Sequence, residues 1–330
     1  MTVPTWVWMA TIVGVLALVA FDFFMVSRTP HEVGVGEAAR WSIFYIALAI
    51  VFGIGVFYFM GSQSGTEFFA AYLVEKSLSV DNLFVFAIIL TQFAVPSVLQ
   101  QRVLLIGIVL ALVFRAIFIA LGAAALSAFA FTFVIFGALL IWTGIQLARH
   151  HNEDPEPSDN FVVRAVKKRY PFTDEYHGTA MFIKENGKRI ATPMLLVIIA
   201  IGSTDLLFAL DSIPATFGVT QNAYLVFTAN AFALFGLRAL YFLLKGLLDR
   251  LVYLSLGLAA ILVFIGIKLI LTWAHETWPQ VPKIPTAASL GVIAVILIVA
   301  TVASLIKSRQ DPTLKAHAGT VRKPHEHDEQ

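Results

Sequence analysis

Four carboxylates, Glu75, Asp81, Asp205 and Asp211, stand inside long apolar stretches where acidic side chains are costly. A fifth, Asp22, lies near the end of another such stretch with Arg28 available as a partner, and Glu67 sits at the edge of one. An Asp at the centre of a membrane helix costs about 2.5–3.5 kcal/mol, so five buried acids cost on the order of 10 kcal/mol before any partner is found. They must face a bundle interior, where a cation, a basic side chain or a bound proton compensates. Ser79, Asn82, Ser203 and Ser212 add neutral oxygen and amide groups beside them. The chain has no cysteine, and none of its eight histidines lies in an apolar stretch. A donor set made only of oxygens and amides favours hard divalent ions, Mn²⁺, Mg²⁺ or Ca²⁺, over zinc or copper. Lys76, Arg115, Arg238 and Lys268 are buried in the same stretches, so a purely structural ion-pair network competes with a site open to an ion.

The elements that position these groups follow from composition. Hydrophobic residues form 58% of the 330 and charged residues only 13%. Soluble domains carry about 25% charged residues, so lipid must solvate most of this surface. Nine stretches are long enough to cross a bilayer: 4–26, 41–61, 66–91, 103–121, 124–148, 190–213, 224–244, 251–273 and 287–306. The turn between the fourth and fifth is expected at Gly122–Ala123. With the N-terminus outside, eighteen basic residues fall on the cytoplasmic side and only Lys283 outside, as the positive-inside rule requires. The expected protein is therefore an all-α polytopic bundle with its N-terminus outside and its C-terminus in the cytoplasm. The first stretch has no basic residue before it and no cleavage site behind it, so it reads as a retained helix.

Two segments recur. Ser79-Val80-Asp81-Asn82-Leu83-Phe84 and Ser203-Thr204-Asp205-Leu206-Leu207-Phe208 share Ser-x-Asp-x-Leu-Phe, and Arg-Ala follows at Arg115 and Arg238 after 34 and 33 residues. Three spans separate the copies, so they cross in opposite directions. Residues 66–148 and 190–273 then form a 3+3 inverted repeat, a build that places ion sites near the midplane. Spans one, two and nine are peripheral additions within a bundle covering 1–306.

Inversion would put Glu75 and Asp211 at one depth, about 9 Å outward from Asp81 and Asp205. Six residues turn a regular helix by roughly 240°, so each pair shares a face only if its helix is distorted. Pro214 is the expected distortion, freeing carbonyls near Ala209 and Leu210 as further ligands.

The polar insert 149–189 divides the two triplets. Asn186-Gly187 between short apolar-polar runs suggests a small β-hairpin at the membrane face, with a disordered basic loop as the competing reading. Residues 307–330 are expected to form a disordered tail, whose His325 and His327 would at most bind metal weakly. No nucleophile is paired with a base and no His-Glu-x-x-His motif occurs, so the chain reads as no enzyme.

The stretch Thr204–Ala215 (Thr-Asp-Leu-Leu-Phe-Ala-Leu-Asp-Ser-Ile-Pro-Ala) closely resembles the signature of the TerC/Alx family. Val226–Asn230, Gly236–Phe242, Glu75–Asn82 and Arg28–Glu32 extend the resemblance, which covers roughly residues 15–285. It implies a plasma-membrane protein of the lysine-exporter-like superfamily, associated with Mn²⁺ export, in some members with alkaline pH, and historically with tellurite resistance. The family's acidic positions carry onto Glu75, Asp81, Asp205 and Asp211. Gly202 departs from the pattern, because many members have a carboxylate there.

The expectation is thus a proton-coupled exporter of a divalent cation, Mn²⁺ first, with ligands among Glu75, Asp81, Asn82, Asp205, Asp211, Ser79, Ser203 and Ser212. Arg115, Arg238, Lys76 and Asp22 supply supporting charge. No tightly bound cofactor is expected. The expected partners are the bilayer, the cation and protons, with no nucleic acid; a homo-oligomer or larger membrane complex is left open. The competing function is a membrane scaffold that binds metal without moving it, within a metal or tellurite stress complex.

Overall fold

Apolar runs too long for one soluble core become helices because only internal hydrogen bonding satisfies the backbone in lipid. A computed structural model describes residues 3–28, 33–129, 131–151, 171–173, 175–185, 188–244, 251–278, 280–282 and 284–311. Most of the insert and the tail beyond Asp311 lie outside the described residues, as do the side chains of Asp81 and Arg28.

The chain runs as α1 (Thr5–Arg28), α2 (Val35–Met60), α3 (Ser62–Gln92), α4 (Ser97–Ala128) and α5 (Thr132–Arg149). Strands β1 (Phe182–Glu185) and β2 (Lys188–Ala191) follow. Then come α6 (Pro193–Val219), α7 (Ala223–Leu234), α8 (Leu237–Leu244), α9 (Leu254–Thr277) and α10 (Thr286–Gln310). Among the described residues, eight spans are long and apolar enough to cross a membrane, α7 and α8 counting together. The ninth expected span, α3, is helical over 31 residues. Glu67, Glu75, Lys76 and Asp81 make it more polar than its neighbours. The protein is an all-α polytopic membrane bundle.

Three boundaries differ from the reading of the sequence. α4 runs through Gly122 to Ala128, and the chain turns at Phe129–Phe131 instead. Apolar residues continue on both sides of Gly122, whose lack of a side chain makes room for the Phe217 ring rather than a turn. α6 starts after Ile190 and Ala191, which belong to β2, and continues unbroken through Pro214 to Val219. The helix break comes one span later, at Phe235–Gly236 between α7 and α8, where Gly236 has φ +79°. That left-handed backbone suits glycine, and the Tyr45 ring lies against it, where a Cβ would sit 3.0 Å away.

Packing among the two triplets has a reciprocal form. α3, the first helix of one, lies on α7, the second of the other, and α6 in turn lies on α4. α3 also meets α6, and the third helices, α5 and α9, make the most extensive contact among the described elements. Gly137 and Gly266 face each other across it, each so close that a Cβ would lie 2.7 Å from the other's carbonyl oxygen. α1, α2 and α10 lie outside this core. Only 11% of α1's apolar window is buried, against 83% for α7–α8.

The hairpin pairs Phe182 with Ala191 and Ile183 with Ile190. Tyr176 fastens the same segment to the α3–α4 turn, its hydroxyl donating to the Phe93 carbonyl at 2.7 Å. The Tyr176 contact and the direct run of β2 into α6 hold the hairpin at the end of the bundle where α3 ends and α6 begins.

Candidate cation site

Arg115 on α4 is fully enclosed, and everything polar around it comes from α3, α6 and α7. Its Nη1 donates to Glu75 Oε2 at 2.5 Å and to Asn230 Oδ1 at 3.3 Å. Its Nη2 lies 3.5 Å from Asp205 Oδ1, longer than a charge-assisted hydrogen bond. With the Asn82 amide oriented to suit its neighbours, the Asn82 oxygen accepts from Nη2 at 3.1 Å and its nitrogen donates to the Leu78 carbonyl. The other oxygen of Glu75 accepts from Thr216 Oγ1 at 2.5 Å. One guanidinium therefore faces two carboxylates and two amides.

The balance of charge is uneven. Glu75 and Asp205 are 0% and 1% exposed, so neither is neutralised by water. A single arginine offsets one of the two negative charges and leaves the second without a basic partner among the described side chains. Both oxygens of Asp205 lack a hydrogen-bond partner, as do the buried hydroxyls of Ser79 and Ser212 and the amide nitrogen of Asn230. Arg115 Nε, a donor like the Asn230 nitrogen, is unpaired as well. Buried polar atoms are nearly always paired, so the carboxylate and hydroxyl oxygens among these orphans are groups available to a cation or a proton.

Asp211 does not join this cluster. It accepts from Thr143 Oγ1 of α5 at 3.0 Å. α6 is continuous through Pro214, and on an unbroken helix six residues carry Asp211 around to another face than Asp205. Glu75 meets Asp205 through Arg115, whereas Asp211 is held by Thr143. Ala209 is packed in an apolar cluster and the Leu210 side chain is 43% exposed. Ser203 turns its hydroxyl back to the Ile199 carbonyl at 2.6 Å. Asp81 lies six residues beyond Glu75 on α3, and its role as a ligand falls outside the described residues.

The other cations have separate tasks. Arg238 donates to Asp22 Oδ1 at 2.6 Å and to Gln101 Oε1 at 3.1 Å, so Asp22 is paired with Arg238. Tyr45 donates to the same Asp22 oxygen at 3.1 Å. Lys76 Nζ donates to the Ala233 carbonyl at 3.1 Å, capping α7 where the break leaves carbonyls without amide partners.

Thr216, Asn230, Thr143, Tyr45 and Gln101 were not singled out as site residues from the sequence. A Thr or Asn within an apolar span is the available signal, and it is weak because hydroxyls also bond back to their own helix. Among the described residues, no group of three His, Asp or Glu side chains lies close enough to hold a metal. Any ion here would rest on fewer carboxylates with hydroxyl and amide oxygens.

The model of the integral membrane protein TerC family matches residues 60–312. An uncharacterized membrane protein of Myxococcus xanthus is 42% identical over 314 residues, covering 95% of this chain and 96% of that protein. An uncharacterized membrane protein of Mycobacterium tuberculosis is 46% identical over 316 residues, covering 92% and 80%. A protein of Escherichia coli named "Putative membrane-bound redox modulator Alx" is 38% identical over 300 residues, covering 88% and 91%. No solved structure matches. The chain belongs to the integral membrane protein TerC family.

Proposed function

We propose that this protein is a carrier for a divalent cation, Mn²⁺ first, which it exports across the plasma membrane in exchange for protons. The observation that carries the reading is the surplus charge at Arg115: two enclosed carboxylates, one guanidinium, and an Asp205 whose oxygens have no hydrogen-bond donor. A membrane interior does not tolerate a lasting uncompensated charge, so a cation or a proton must share the cluster. The donors are oxygens and amides, which favour a hard ion.

The chemistry of exchange follows from the same residues. A divalent cation at Asp205 overcompensates the surplus negative charge, which loosens the 3.5 Å approach of Arg115 and leaves Glu75 to hold the arginine. When the cation leaves, a proton on Asp205 restores neutrality. Expelling a divalent ion against the membrane potential costs about 4.6 kcal/mol per 100 mV, so outward movement requires a coupled ion. Protons taken up by the carboxylates that release the metal supply that coupling directly.

The reciprocal packing of α3 on α7 and α4 on α6 supports reading the triplets as inverted repeats with the site at their interface. The distribution of basic residues supports an external N-terminus and a cytoplasmic hairpin. The redox role in the name of Alx would here have to proceed without thiols, since the chain has no cysteine.

The test is Mn²⁺ flux into proteoliposomes, read with an internal metal-sensitive dye beside a pH dye. Wild type should carry Mn²⁺ with counter-movement of protons, and Asp205→Asn should abolish flux while eluting as a folded protein. Flux undiminished in Asp205→Asn, or a folded wild type that moves no Mn²⁺, would overturn the reading.

A further inference from the structure

Away from the arginine cluster, a cleft of about 640 Å³ opens at the end of the bundle opposite the hairpin. Its walls are the first turns of α3, the last turn of α6, the end of α9 and the start of α10. Glu67 lies on the α3 wall, accepting from Oγ1 of Thr220, the C-cap of α6, at 2.6 Å on one oxygen and from Gln63 Nε2 at 3.0 Å on the other. Eight residues further along α3, Glu75 accepts from Thr216 of the same α6. Eight residues advance a helix by about 12 Å and turn it by only about 80° beyond two full turns. The same two antiparallel helices thus carry two successive Glu–Thr rungs, one in the cleft and one at Arg115.

Between the rungs the wall is tight. Gly218 of α6 is pressed against α9, where a Cβ would come within 2.4 Å of Ile265 Cγ2. The cleft therefore ends on a packed floor, with Glu67 above it and Glu75 below. Lys268 of α9 also lines the cleft, which brings a basic residue into the same cavity as the carboxylate. A carboxylate that shares a cavity with a lysine holds a passing cation more weakly than one without it, which suits a station on a route more than a storage site.

Resting on the transport reading above, we propose that this cleft is the outer port of the pathway and that Glu67 is the carboxylate a divalent cation occupies after leaving the Arg115 cluster. The hydroxyl of Thr220 releases Glu67 to the ion, as that of Thr216 releases Glu75 below. Lys268 speeds departure by opposing retention.

The absence of natural cysteine makes the port accessible to single-cysteine labelling. Thr272→Cys places a thiol on the α9 wall one turn from Lys268, and Gln280→Cys on the adjacent loop serves as control. Full-length protein in oriented proteoliposomes would be treated from outside with a membrane-impermeant methanethiosulfonate. External Mn²⁺ should slow modification of Thr272→Cys several-fold without affecting Gln280→Cys. Protection should vanish in Thr272→Cys/Glu67→Gln and strengthen in Thr272→Cys/Lys268→Met. A Thr272→Cys that stays unreactive, protection that survives Glu67→Gln, or protection weakened by Lys268→Met would overturn the port. Flux judges the transport reading and labelling judges the port, so failure of the port with flux intact is told apart from failure of transport itself.

Discussion

Arg115 and Arg238 follow the two Ser-x-Asp-x-Leu-Phe segments at nearly equal spacing, yet their surroundings differ in charge. Arg238 meets one carboxylate, Asp22, whose oxygen also accepts from Tyr45, and it spends its other nitrogen on Gln101. Arg115 meets two carboxylates and two amides. The first cluster is balanced and ties α1, α2 and α4 to the break at Gly236. The second carries surplus negative charge and orphaned oxygens. Two similar arginines thus teach that burial alone does not mark an ion site; the imbalance does. A neutral pair braces, whereas a site one positive charge short must recruit something.

The sharpest way to break this contrast is Arg115→Gln, which strands two carboxylates in the interior. Removing one partner of a buried ion pair costs about 3–5 kcal/mol, so solubilised protein should unfold at much lower temperature by tryptophan fluorescence. Arg115→Gln/Glu75→Gln should recover a large part of that loss; equal stability of the single and double variants would contradict the charge account. Asp22→Asn comes next, at about 2 kcal/mol for a weakened charge-assisted hydrogen bond. It should lower thermal stability yet leave the Mn²⁺ concentration for half-maximal flux unchanged, because Asp22 belongs to the brace. A shift in that concentration would merge the two clusters into one. The smallest effect is expected of Tyr45→Phe, which removes one hydroxyl from Asp22 and costs about 1 kcal/mol in the same unfolding measurement.

The spans were legible because roughly twenty apolar residues have few other uses. Turns were less so: the α4–α5 turn lies in an unbroken apolar run, and hydropathy is blind to it. Proline also misled. Pro214 is the conspicuous helix breaker, but α6 absorbs it, while the break sits at Gly236, which only its φ of +79° reveals. The acidic positions and the recurring Arg-Ala could be picked out as a set. Which carboxylate meets which arginine depends on helix rotation and on packing between distant helices, so Asp22 with Arg238 and Glu75 with Asp205 emerged only in three dimensions. Thr216 and Asn230 were hidden among the many small polar residues whose hydroxyls or amides have local alternatives.

The paired glycines of α5 and α9 have a mechanical consequence. With Gly137 and Gly266 set backbone to backbone, the two helices have no side-chain cushion across which to slide or separate. They form a stiff spindle down one flank of the molecule. Any relative motion of the two triplets must then turn about this seam and be borne where α3 meets α7 and α4 meets α6.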